Sequence, residues 1–223
     1  MLEMMYDLLE ARSADRLLAW DRLVELLAVD NCGPLMFHMN NGFEWLLDDQ
    51  MLASDVLEIY DRELLRSDFH DHLGDMYLEK IVSGSSGKKA DIFYTPANVA
   101  SLLAEMTIGN GRKQLRVIDP AVGTGRLLMA AYQRSPHSVL FGVDTDLRAL
   151  RIALTNFAIH NIQGYLLHAD SLRHEIDIST PAGRDNWRYA NRWQSQMHKL
   201  QPIGRDPQTE LRLTRGQKRQ TED

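Results

Sequence analysis

A short β-branched run, Leu115-Arg116-Val117-Ile118, leads straight into Asp119-Pro120-Ala121-Val122-Gly123-Thr124-Gly125, and a helical pattern begins directly behind it. No other feature constrains the fold as much. Two glycines one residue apart let the backbone turn tightly, and they let a ligand approach where a Cβ would obstruct it. The helix that follows starts with free N–H groups. The next apolar run, Val139-Leu140-Phe141-Gly142-Val143, ends at Asp144, 19 residues after Gly125. Nucleotide-binding α/β folds place an acid at that position to hydrogen-bond ribose hydroxyls.

The periodicity on either side agrees. Tyr165-Leu166-Leu167 forms a third strand-like run, and helical patterns at residues 127–133 and 147–160 separate the three. Alternating strands and helices imply parallel strands with right-handed crossovers, a Rossmann-like α/β fold. Pro96 opens a further amphipathic helix marked by Val99, Leu102, Leu103 and Met106, since proline suits a first helical turn. Residues 1–30 carry leucines at helical spacing until Asn31-Cys32-Gly33-Pro34 breaks the pattern, and helical regions follow at about 43–60 and 64–82. Ser83-Gly84-Ser85-Ser86-Gly87-Lys88-Lys89 has the composition of a flexible linker. The expected organisation is a helical N-terminal segment over 1–82, a Rossmann-like cofactor-binding domain over 90–200, and a polar, flexible tail over 201–223.

Composition excludes several classes. With one cysteine, Cys32, no internal disulfide and no four-cysteine zinc site can form; no metal site is expected, and a reducing cytoplasm is the expected location. No apolar stretch approaches the roughly 20 residues of a membrane helix, and the N-terminus lacks the basic start of a signal peptide. Net charge is −6, unevenly spread: residues 183–223 carry +4 and the rest −10. Such a basic segment either contacts phosphates or is simply solvated.

The glycine turn also discriminates between cofactors. Dinucleotide sites use G-x-G-x-x-G to seat a pyrophosphate, whereas Gly123-Thr124-Gly125-Arg126-Leu127-Leu128 has leucine in the third place. Asp119 would repel a pyrophosphate and favours a cation. S-adenosylmethionine carries both an ammonium and a sulfonium.

The run from Asp119 to Leu128 resembles the cofactor motif of amino-group methyltransferases that act on DNA. Phe93-Tyr94-Thr95-Pro96 resembles the F-Y-T-P element of the N-6 adenine DNA methyltransferases, in particular the modification subunits of type I restriction systems. Asp71-His72-Leu73-Gly74-Asp75-Met76-Tyr77-Leu78-Glu79 is similar to the helix that family carries just ahead of it. The resemblance spans roughly residues 55–172 in the family's own order. It implies an S-adenosylmethionine-dependent enzyme that methylates adenine N6 in DNA within restriction–modification, with DNA and a further subunit as partners. It assigns cofactor contacts to Tyr94, Thr95, Pro96, Asp119, Pro120, Ala121, Gly123, Gly125, Asp144 and Asp170, with Asp170 in His168-Ala169-Asp170-Ser171-Leu172 meeting the adenine amine. Asp170 has a cap or turn residue as its alternative reading, while Asp146 reads as the N-cap of the next helix rather than a ligand, and Tyr77 and Glu79 read as structural.

The family's catalytic tetrapeptide, Asn/Asp/Ser-Pro-Pro-aromatic, has no counterpart, because the sequence contains no Pro-Pro. That tetrapeptide accepts hydrogen bonds from the target amine and stacks on the flipped base. The nearest candidates are Thr180 and Pro181, after a strand-like run at 176–179. Trp187, Tyr189 and Trp193 offer either a stacking surface or one face of a helix. Only 51 residues follow Leu172, so the seven-stranded domain is expected to be truncated. The alternative is an inactive or split S-adenosylmethionine-binding module that works through a partner. Cytosine C5 chemistry needs a cysteine nucleophile, and Cys32 lies far ahead of the cofactor motif.

Overall fold

A computed structural model describes residues 1–32, 45–83, 94–109, 114–173, 177, 179–181 and 183–184. Six helices come first: α1 (Leu2–Glu10), α2 (Arg16–Cys32), α3 (Trp45–Asp48), α4 (Gln50–Ile59), α5 (Arg62–Ser67) and α6 (His72–Tyr77), the last continued by a π-helical turn at Leu78–Val82. Aspartates set the breaks. Asp15, Asp49, Asp61 and Asp71 each accept the backbone N–H three residues on, at 2.7–3.1 Å, and so cap α2, α4, α5 and α6. The long helical regions expected from periodicity are therefore pairs of shorter helices.

The α/β layer runs α7 (Ala97–Ile108), β1 (Arg116–Asp119), α8 (Arg126–Arg134), β2 (Val139–Asp144), α9 (Leu147–Ile159) and β3 (Gly164–His168), closing on a 3-10 turn at Ser171–Arg173. The three strands form a parallel sheet in the order β1-β2-β3, with Ile118 opposite Phe141 and Asp144 opposite His168. Side chains alternate across it. Leu140 and Leu166 join the main core, whereas Val143 and Leu167 form a small cluster with Ala169 on the other face.

The main core runs without a break from Met5, Trp20, Leu23 and Leu27 of the helical layer to Leu128, Ile152 and Phe157 of the α/β layer. Helix α2 lies along α9, where Arg148 forks onto Asp21 at 2.8 and 2.9 Å. Together these elements make a Rossmann-like α/β fold carrying an N-terminal helical layer.

Helix α7 sits the opposite way round from its leucine pattern. Ala100 and Ala104 are buried against Ala130 of α8, while Leu102 and Met106 are 55% and 74% exposed. Small side chains allow the two helices to approach closely, and that closeness decides the buried face. Among the described residues no helix is long and apolar enough to cross a membrane. The linker at 84–89, Phe93, Trp187, Tyr189, Trp193 and the tail at 201–223 lie outside the described residues.

Candidate functional site

Parallel strands bring their carboxyl ends to one edge of the sheet, the edge at which α/β folds bind ligands. Asp119, Asp144 and His168 end the three strands there. Between Asp119 and α8 the chain folds back on itself in steps. Ala121 N–H donates to Asp119 Oδ1 at 3.0 Å, and Val122 N–H donates to the Val143 carbonyl at 2.9 Å, which ties the turn to β2. Gly123 N–H donates to Asp144 Oδ2 at 2.7 Å, and Gly125 N–H returns to the Val122 carbonyl at 2.9 Å. Gly123 and Gly125 take φ of +53° and +90°, the left-handed region that costs an L side chain energy. A Cβ on Gly123 would also stand 3.0 Å from the Tyr94 ring. The tyrosine thus lies directly against the turn.

Two polar atoms in this neighbourhood are buried without a hydrogen-bond partner among the described residues: Asp119 Oδ2 and Tyr94 Oη. Burial raises the Asp119 carboxyl above the ordinary carboxylate range, with the Ala121 N–H opposing the shift and Asp144 reinforcing it. Burial also pushes the Tyr94 phenol up, with Tyr77 and Asp146 adding to the effect. Buried polar atoms in folded proteins are nearly always satisfied. An open carboxylate oxygen and an open hydroxyl beside a glycine turn suit a ligand that brings positive charge or N–H donors.

The other expected contacts sort as follows. Thr95 offers its carbonyl to Arg126 Nη1 at 3.1 Å, and Pro96 precedes α7, its carbonyl accepting from Ala100 N–H. Pro120 and Ala121 lie within the turn. Asp144 Oδ1 accepts from Asp146 N–H at 2.8 Å, and Asp146 caps α9 through Arg148 N–H, as its position suggested. Asp170 accepts from Leu172 N–H at 2.9 Å and pairs with Arg173 at 3.0 Å, so it serves the 3-10 turn beyond β3. Tyr77 is buried between Trp20 and Tyr94, with ring centroids 5.2 and 6.4 Å away.

Of the strand-like run expected at 176–179, only Asp177 and Ser179 lie within the described residues. Asp177 Oδ1 accepts from Ser179 N–H at 2.8 Å, an aspartate turn, and Ile176 and Ile178 lie outside the described residues. Thr180 Oγ1 accepts from Gly183 N–H at 3.0 Å and donates to the Asp177 carbonyl, so Thr180 and Pro181 open a helical turn.

Sequence reasoning missed Asp71, Thr124, Arg126 and Asn156, which form a buried hydrogen-bonded cluster under the turn. The available signal was the Asp71-x-x-Gly74 spacing of a helix cap, together with an arginine directly behind the glycine turn. A separate cleft of about 680 Å³ lies at the amino ends of the strands, lined by Gln114, Val139, Gly164 and Tyr165. It is remote from these groups and on the edge that parallel sheets do not use for ligands.

The profile of the family described as N-6 DNA Methylase matches residues 68–199, more than half of the chain. The chain belongs to the N-6 DNA methylase family. The matched span opens just before Asp71 and takes in Tyr94-Thr95-Pro96, the glycine turn and Asp144. The type II restriction enzyme and methyltransferase RM.BcgI of Heyndrickxia coagulans is 32% identical over 116 residues, covering 46% of this chain and 18% of that relative. This N-6 DNA methylase chain therefore spans under a fifth of the curated relative's length. Among solved structures, the methyltransferase subunit of a type I restriction–modification system from Streptococcus thermophilus is 26% identical with a TM-score of 0.44, over 59% of this chain and 30% of that one. A class I S-adenosylmethionine-dependent methyltransferase, so described, from Listeria monocytogenes is 21% identical with a TM-score of 0.48, over 77% and 54%.

Proposed function

We propose that this chain is the cofactor-binding part of an S-adenosylmethionine-dependent methyltransferase that modifies adenine N6 in DNA, within a cytoplasmic restriction–modification system. The observation that carries the reading is the buried, unpartnered Oδ2 of Asp119 near the unpartnered Tyr94 hydroxyl, at a turn whose two glycines take left-handed φ. These residues fit S-adenosylmethionine. Asp119 would face its positive charge, Asp144 would accept from ribose hydroxyls with its remaining lone pairs, and Tyr94-Thr95-Pro96 would form the wall at the methionine end. Asp170 would meet the adenine amine beyond β3. When bound, the cofactor supplies an electrophilic methyl group on a sulfonium. The chain's own task is to orient it and to keep water from it.

Family membership and the relationship to a restriction enzyme and methyltransferase support DNA as the substrate. A second reading is favoured by one observation: β1 pairs only with β2 among the described residues, and Ile118 on it is 54% exposed. That edge suits a further strand, and a strand from another segment or subunit would bring the Pro-Pro tetrapeptide that this sequence lacks. Incubation of the purified chain with methyl-tritiated S-adenosylmethionine and mixed-sequence DNA, alone and with the product of the neighbouring gene, tests both readings. N6-methyladenine in the digested DNA supports the proposal. Label recovered only in protein or RNA, or in no acceptor under either condition, overturns it.

A further inference from the structure

Asp71 caps α6, yet only one of the hydrogen bonds to its carboxylate belongs to that helix. Oδ1 accepts from Gly74 N–H and from Asn156 Nδ2 of α9, both at 2.7 Å. Oδ2 accepts from Thr124 Oγ1 at 2.5 Å and from Arg126 Nε at 3.1 Å. The side chain is fully buried. Two carboxylate oxygens have about four acceptor sites, and here donors from four places occupy all of them. A Cβ at Gly74 would run into the carboxylate, so glycine is needed beneath it.

The same partners reach further. The Asn156 amide also donates to the Thr124 carbonyl at 3.0 Å, so both the side chain and the peptide of Thr124 are held. Arg126 donates onward to the Thr95 carbonyl at 3.1 Å and pairs with Asp75. Burial alone would raise the Asp75 carboxyl, but hydrogen bonds from His70 and Arg126 outweigh it and hold it below its ordinary value. One acid of the helical layer thus grips the glycine turn directly and, through Arg126, the segment that carries Tyr94. Those are the two walls that face each other where a Cβ on Gly123 would stand 3.0 Å from the Tyr94 ring.

We infer that Asp71 is a positioning residue of the cofactor site: it sets the spacing between the glycine turn and Tyr94, and through it the helical layer becomes part of that site. A satisfied buried polar cluster holds one arrangement of its members, whereas an apolar contact would let the turn slide. The inference rests on the S-adenosylmethionine reading above.

Calorimetric titration of S-adenosylmethionine into the whole chain and three variants tests it. Thr124→Val removes the hydroxyl that Asp71 holds, and Thr124→Ser restores it. Asp30→Asn breaks the equally buried Arg62–Asp30 pair at 2.5 Å, which lies in the helical layer away from the turn. The expected result is roughly tenfold weaker binding for Thr124→Val, as follows from leaving a buried acceptor short of a donor, and near wild-type affinity for Thr124→Ser. Asp30→Asn should melt at lower temperature yet bind as the wild type does. Equal affinity of the valine and serine variants overturns the inference, and so does loss of affinity in Asp30→Asn, since cofactor binding would then follow stability alone. A wild-type chain that binds no S-adenosylmethionine overturns the functional reading and, with it, this one.

Discussion

The Gly123 N–H donates to Asp144 Oδ2 at 2.7 Å, so the turn after β1 and the acid at the end of β2 form a single unit. Asp144 Oδ1 is held in turn by Asp146 N–H at 2.8 Å. The carboxylate is therefore oriented before any ligand arrives, and lone pairs remain on both oxygens to accept from a ribose.

Replacing it should be costly for binding. Asp144→Ala is expected to weaken S-adenosylmethionine binding by about 1.5–3 kcal/mol, the range for hydrogen bonds to a charged group. Asp146→Ala should instead cost about 1 kcal/mol of stability through the lost cap of α9, with affinity unchanged. Isothermal titration of both variants measures this, and an Asp144→Ala protein that binds normally would remove the acid from the site.

Gly123→Ala tests the turn itself. The left-handed φ of +53° costs an L side chain about 1–2 kcal/mol, and the new methyl would press on the Tyr94 ring. Denaturant titration should show a loss of that size, with weaker cofactor binding alongside it. A variant matching the wild type in both would mean that the turn relaxes freely.

The strands were legible in the sequence. Each strand lies within one residue of its expected bounds, because the β-branched run, the glycine pair and the terminal acid are contiguous in sequence. The breaks in the helical layer were not legible. An aspartate such as Asp49 or Asp61 inside an apolar period reads as surface charge, and only its capture of a later N–H turns it into a cap. The role of Arg126 was hidden as well. Its burial depends on Asp71, 55 residues away, which no local pattern reveals. The buried face of α7 was inverted because alanine spacing carries less apolar weight than leucine spacing, although close helix packing favours the alanines.

Acidity should act on the helical layer through Glu25. This buried side chain accepts from Trp45 Nε1 at 3.1 Å. Burial pushes its carboxyl up to about 7 from 4.5, against the opposing pull of Trp45 and Arg151. An acid raised in the folded state contributes stability that is complete below its unfolded value and is lost as pH rises through its folded value. Between pH 4.5 and about 7, the Glu25 contribution should therefore fall with rising pH, by at most about 1.4 kcal/mol per unit. Denaturant titrations across that window should show a flatter profile for Glu25→Gln than for the wild type, and parallel profiles would place the charge of Glu25 in solvent.

Methyl transfer by the chain alone should be slow. Losing one preorganised group that stabilises the reacting centre costs other enzymes roughly 100- to 1,000-fold in rate, and no Pro-Pro tetrapeptide is present. In the tritium assay, transfer should rise by at least that factor when a polypeptide carrying the tetrapeptide is added. Full activity without it would assign the role to Thr180-Pro181 or to the Trp187–Trp193 stretch.

Binding of S-adenosylmethionine to the purified chain is the most direct measurement of all. We expect a saturable heat on titration and a higher melting temperature with the cofactor present, since a ligand at 100 times its dissociation constant adds about 2.7 kcal/mol to stability. No heat and no thermal shift at millimolar S-adenosylmethionine would contradict the account.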